Sequence, residues 1–125
     1  MEEEANALAS TGRWSKENAL ISIRAGHKCE YCGLDFYSSA SNYRSWQKDH
    51  IIPVKHGGKD EFDNYAASCS ICNTQYKLQW NPLNEVGEGA SREDLIKAAR
   101  VYIAKLKKDD EREIKHELSL IKNIR

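Results

Sequence analysis

Four cysteines fall in two pairs, Cys29/Cys32 within CEYC and Cys69/Cys72 within CSIC, and none is left over. Each C-x2-C turn aims two thiolates at one point, so two turns can close a tetrahedral four-sulfur site with metal–sulfur bonds of about 2.3 Å. The reading is a structural Zn2+ bound by all four; the alternative is four buried or unpaired thiols. Residues 33–68, between the pairs, form a longer segment than the roughly 15–20 residues of a compact zinc ribbon. The metal thus pins the base of a long excursion and fixes where its two ends sit. Asn73, directly after the last cysteine, is held beside the cluster.

The excursion carries a second set of reactive side chains. Asp49 and His50 are adjacent, the run IIPVKHGG follows, and Asn64 comes next. On an extended strand neighbours point to opposite faces, so a distortion before Pro53 is needed for Asp49 and His50 to face one site. Asp49 offers a hard oxygen ligand and Asn73 a carbonyl oxygen, a pair suited to Mg2+ or Mn2+. Such an ion can stabilise charge on a scissile phosphate and on its leaving oxygen. An imidazole changes charge near neutral pH, so His50 can take a proton from an attacking water. Asn64 can orient that imidazole and fix its tautomer. An isolated Asp-His pair is more often a surface feature; its place between two zinc-type knuckles gives it weight.

Taken together, the segment from His27 to Pro82 resembles the HNH (His-Asn-His) endonucleases, whose core is a ββα-metal finger. The residues that carry the resemblance are CEYCG, then DHIIPVKHGG, then Asn64, then CSICN followed by Lys77. It covers a little under half of the chain. The resemblance implies His50 as general base, Asn64 as its positioner, and Asp49 with Asn73 as ligands of a catalytic Mg2+ or Mn2+. The four cysteines match the zinc site found in many members. Two positions depart from the pattern. Asn73 stands where many members carry His, and still offers an oxygen ligand. Members commonly have a Lys three residues later, whereas Lys77 comes four later. On an α-helix one residue turns a side chain by about 100°, which argues against a phosphate role for Lys77.

Composition narrows the classes. Lysine plus arginine and aspartate plus glutamate both number 19, which argues against nonspecific coating of DNA but leaves room for a site that handles one phosphate. A chain of 125 residues is one domain with an appended helix, and metal commonly supports so small a core. No run approaches the roughly 18 apolar residues of a membrane span, and the acidic start MEEEANALAS lacks a signal-peptide core. The expectation is a cytoplasmic protein, where paired cysteines hold metal rather than disulfides.

The elements must then position these groups. Residues 1–13 are expected to fray, 14–82 to form the nuclease domain with an N-terminal helix, and 83–125 to be a linker and an amphipathic helix. Ser15 is the expected cap and Gly26 the stop of the first helix. Residues 34–45 read as loop, Trp46–Val54 as a strand, and a short helix is expected from about Asn73 towards Leu78. Ser91 to Asp94 has the form of a capping box. A 3.6-residue stripe of Leu95, Ile96, Ala99, Tyr102, Ile103 and Leu106 follows. After the charged stretch 107–113 a second stripe, Ile114, Leu118 and Ile121, offers a contact to a second copy. The fold class is α+β: a ββα-metal, treble-clef-like finger with structural zinc, flanked by an N-terminal and a long C-terminal helix.

His56 and His116 read as solvated, and His27 as a less suitable zinc ligand than four cysteines. Tyr31, Tyr37, Tyr43, Trp46 and Trp80 have faces that stack on bases, though aromatics in a small domain are more often core. A zinc deaminase needs H-x-E followed by P-C-x-x-C, and His50 is followed by Ile51-Ile52. Two readings remain: a metal-dependent endonuclease acting on DNA, and a zinc-supported module that binds nucleic acid or protein without catalysis. The joint presence of Asp49, His50, Asn64 and Asn73 favours the first.

Overall fold

The computed structural model describes residues 1–125. Local capping rules set most element ends. Helix α2 (Lys16–Arg24) begins where the Ser15 hydroxyl accepts from the Asn18 amide at 3.1 Å. It stops before Gly26, which takes the left-handed φ of 66° that glycine tolerates. The last helix, Arg92–Ile124, begins where Ser91 accepts from the Asp94 amide at 3.1 Å. Between them lie the short helix Ala40–Arg44, the strands β1 (Trp46–His50) and β2 (Tyr65–Cys69), a π-helical turn (Cys72–Lys77) and the short helix Leu83–Val86. No helix is long and apolar enough to cross a membrane.

The strands pair antiparallel, with Trp46 opposite Cys69 and His50 opposite Tyr65. All five residues of β2 are buried, and three of them, Ala66, Ala67 and Ser68, are small enough to let helices approach closely. β1 is the open edge. Its side chains alternate as strand geometry requires. Lys48 and His50 both lie against the Tyr65 ring. Gln47 and Asp49 point the other way, to Asn73 and Lys77 of the π turn. The core brings Ile21, Phe36, Ile51 and β2 together with Leu95, Ile96, Ala99 and Ile103 of the last helix.

Several expectations are corrected. Residues 2–10, expected to fray, form helix α1 (Glu2–Ser10). Ala5 is fully buried, Glu2 pairs with Lys16 at 2.6 Å, and Glu4 pairs with His27 at 2.9 Å. The loop 34–45 contains the helix at Ala40–Arg44, capped by Ser39. β1 ends at His50 rather than near Pro53, because the next two amides turn away from β2: Ile51 donates to the Asn64 carbonyl and Ile52 to the Asn64 side chain. The charged stretch 107–113 does not interrupt the last helix, which runs unbroken for 33 residues, about 50 Å. We number the remaining helices α3 (Ala40–Arg44), α4 (Leu83–Val86) and α5 (Arg92–Ile124).

Candidate metal centres and active site

The sulfurs of Cys29, Cys32, Cys69 and Cys72 all lie within 4.8 Å of one another, with Cys32 and Cys69 3.8 Å apart. A tetrahedron of about 2.3 Å bonds has edges of about 3.8 Å, so the four cysteines are placed to bind one metal ion. The hydrogen-bond environment suits thiolates: the Cys72 amide donates to the Cys69 sulfur at 3.4 Å, and the Lys107 ammonium to the Cys72 sulfur at 3.5 Å. Hydrogen bonds from Cys32, Cys69 and Cys72 hold the Cys29 thiol far below its ordinary value, while bonding to Cys29 pushes Cys69 and Cys72 far above theirs. A divalent cation favours the thiolate at all four. His27 is committed elsewhere: its Nε2–H donates to Glu4 and its Nδ1 accepts from Ser22 at 2.8 Å.

Helix α5, read from the sequence as an amphipathic stripe followed by a contact to a second copy, also clamps both knuckles. Arg92 donates to the Glu30 carboxylate at 2.9 Å and to the Tyr65 carbonyl, and Arg100 donates to the Glu30 carbonyl at 2.6 Å. Farther along, Lys107 reaches Cys72, and Tyr76 donates to Asp110 at 2.7 Å. Trp80 stacks on Tyr102 with ring centroids 4.2 Å apart.

A second site lies at the edge of β1, where Asp49, His50 and Asn73 line a cleft of about 240 Å³ with Lys48, Pro53 and Gln79. β1 stays regular through His50 and the chain bends at Ile51 and Ile52, just before Pro53; Asp49 and His50 leave the strand from opposite faces and both line the cleft. Asp49 and Asn73 share the face towards the π turn. Asp49 Oδ2 accepts from the Tyr31 hydroxyl at 2.6 Å and from the Lys77 ammonium at 3.0 Å, whereas no protein donor reaches Oδ1. The Asn73 amide nitrogen donates to Gln47 at 2.7 Å, which turns no protein donor towards its carbonyl oxygen. Two uncommitted oxygens on one face fit a hard divalent cation.

Lys77 is fully buried, and its ammonium also donates to the His50 carbonyl at 3.1 Å. It therefore has no exposed amine to offer a phosphate. The π turn explains the extra residue before it: Leu78 donates to the Asn73 carbonyl, an i→i+5 bond that widens the turn by one residue. This brings Lys77 under Asp49, which an α-helical reading of the spacing does not find. Burial pushes the Asp49 carboxyl up, against the pull of Lys77 and Tyr31. Burial also pulls the Lys77 ammonium down, against the pull of Asp49. Removing one member of such a pair leaves a bare buried charge, at a cost of about 3–5 kcal/mol. Lys77→Met is expected to lower the melting temperature by more than about 10 °C, with part of the loss restored by adding Asp49→Asn. An unchanged melting temperature in Lys77→Met would contradict this account.

Asn64 does not reach the His50 imidazole. Its side chain accepts from the Ile52 amide at 2.9 Å and donates to the carbonyls of Ile52 and Lys59, both at 3.0 Å. It thus staples the loop 51–64. A Cβ on Gly58 would lie 1.7 Å from the Ile52 carbonyl oxygen, which explains the second glycine of the KHGG turn. The stapled loop carries Asp60, whose carboxylate accepts from His50 Nε2–H at 2.6 Å. Asp60 therefore orients the imidazole in the way expected of Asn64, and in the neutral ring leaves Nδ1 as the acceptor. His56 is exposed and contacts none of these groups.

Fold and site together define a ββα-metal finger closed by four cysteines. Residues 29–78 match the family model of the HNH endonucleases, so the segment with both knuckles, β1, β2 and the π turn carries that family's pattern. No curated protein and no solved structure matches the chain.

Proposed function

We propose that the protein is a metal-dependent endonuclease that hydrolyses DNA phosphodiester bonds. The observation that carries the reading is the edge of β1, where an oriented imidazole and two uncommitted oxygens line one cleft. His50 takes the proton of the attacking water on Nδ1 while Asp60 holds the ring. Asp49 and Asn73 would hold Mg2+ or Mn2+, which when bound supplies stabilisation of phosphate charge in the transition state. Tyr31 and Lys77 hold Asp49 Oδ2 and leave Oδ1 without a protein donor. Zn2+ at the four cysteines holds the two ends of the excursion and takes no part in the chemistry. The alternative is a zinc-supported module that binds nucleic acid or protein without catalysis.

Incubation with supercoiled plasmid separates the two. Nicking or linearisation that requires added Mg2+ or Mn2+ is expected; DNA binding with an intact plasmid at every metal concentration would favour the binding module.

We also propose a homodimer through the end of α5. Residues 108–125 are exposed on every side, and Ile114, Leu118 and Ile121 form an apolar stripe that lies in register with buried Ile103. Helices in proteins draw most of their stability from packing an amphipathic face, and nothing in the chain covers this one. The segment is acidic at 109–113 and basic at Lys122 and Arg125, so two copies running antiparallel place opposite charges side by side. Sedimentation is expected to give a dimer at micromolar concentration, and a monomer would remove the proposal.

A further inference from the structure

A second cleft, of about 290 Å³, lies at the other end of β1 and is lined by Arg13, Trp14, Asn18, Tyr43, Arg44 and Trp46. Its aromatic walls are tightly set: Trp14 meets Trp46 edge-on at 5.1 Å and Tyr43 at 6.2 Å. The two arginines are exposed, and neither side chain has a carboxylate or hydrogen-bond partner in the protein; Arg13 lies 5.9 Å from the centre of the Tyr43 ring. Arg24, Arg92 and Arg100 are all tied to backbone or carboxylate groups. Trp46 also carries an indole N–H that is shielded from water and has no partner. A cleft with aromatic walls and two unspent guanidinium groups is chemically matched to a nucleotide, since arginine forks grip phosphate and aromatic rings pack on sugar and base.

The strand fixes where such a nucleotide would lie. Trp46, Lys48 and His50 are alternate residues of β1 and share one face. Four residues of strand span about 13 Å, or about four base steps at 3.4 Å along one DNA strand. Lys48 sits midway, over the Tyr65 ring at 4.4 Å and 3.4 Å from Glu17. Two acidic side chains meet this face, Glu17 balanced by Lys48 and Asp60 held by the His50 imidazole at the far end.

We propose that the Arg13–Arg44 cleft is a DNA-binding subsite that grips the backbone a few nucleotides from the bond cut at His50. The proposal rests on the endonuclease reading for its register. Its test does not, because it reads binding rather than cleavage. The measurement is affinity for a short DNA duplex labelled with a fluorophore, in Mg2+-free buffer, over a series of salt concentrations. Wild type is compared with Arg13→Ala/Arg44→Ala and with Lys105→Ala/Lys108→Ala, which removes two exposed, unpaired cations elsewhere on the molecule.

Each lost phosphate contact lowers the salt slope by about one. The arginine variant is expected to lower it by about two and to weaken binding at least tenfold, while the lysine variant stays near wild type. Hydrolysis of bis(p-nitrophenyl) phosphate, too small to reach the cleft, is expected to be equal in wild type and the arginine variant. Equal slopes in all three proteins, equal losses in both variants, or no DNA binding by wild type would each overturn the proposal. Absence of hydrolysis with the arginine-specific loss intact would instead sink the endonuclease reading and leave the subsite standing.

Discussion

Cys69→Ser is expected to abolish the cooperative folding transition. Cys69 is buried, and its sulfur lies 3.8 Å from that of Cys32 and accepts the Cys72 amide. Structural zinc sites contribute about 10–16 kcal/mol of apparent binding free energy, comparable with or larger than the roughly 5–15 kcal/mol that holds a domain folded. The effect reaches beyond the knuckles. Cys29 and Cys69 belong to the buried core that also holds β2 and the base of α5, and Lys107 packs on Cys72. Losing the cluster therefore frees both ends of the excursion that carries His50, Asp60 and Asn64. Thermal unfolding followed by near-ultraviolet circular dichroism, with the zinc content of the same sample, checks this. The expected result is about one zinc per chain and a cooperative transition in wild type, and neither in the variant. A variant that lacks zinc but melts like wild type would show that the sulfurs are not what holds the finger.

The cysteine cluster was legible because its information is local. Each C-x2-C turn closes on itself, and two turns with nothing left over define one site. Helix starts at Ser15 and Ser91 were legible for the same reason, a side chain satisfying an amide three residues on. The pairing of Asp49 with Lys77 was not. The sequence shows a lysine one residue out of phase for an α-helix, and only the π turn turns that offset into a buried ion pair. Asp60 was hidden too: an acidic residue in a polar turn has no periodicity to mark it. It meets His50 only because Asn64 folds the loop back on Ile52. Asn64, expected to hold the imidazole itself, instead bonds to Ile52 and Lys59 and shapes the loop that carries Asp60. Helix α1 escaped notice because its sequence is acidic and mostly exposed, with one buried contact at Ala5.

The central claim is that His50 is the base of a metal-dependent phosphodiester hydrolysis. His50→Ala removes little else. The ring is held by Asp60 on one side and by the edge of Tyr65 at 5.2 Å, and it touches neither the cysteine cluster nor the Asp49–Lys77 pair. Backbone pairing with Tyr65 and the bond from Lys77 to the His50 carbonyl do not depend on the side chain. Fold, zinc content and DNA affinity are therefore expected to stay as in wild type. A general base contributes about 10²–10⁴ to the rate, which corresponds to about 3–5 kcal/mol of transition-state stabilisation. The measurement is the single-turnover rate of plasmid nicking in saturating Mg2+ or Mn2+, wild type against His50→Ala, with both proteins shown to bind the plasmid equally. A fall of at least a hundredfold is the expected result. Equal rates in the two proteins would contradict the account.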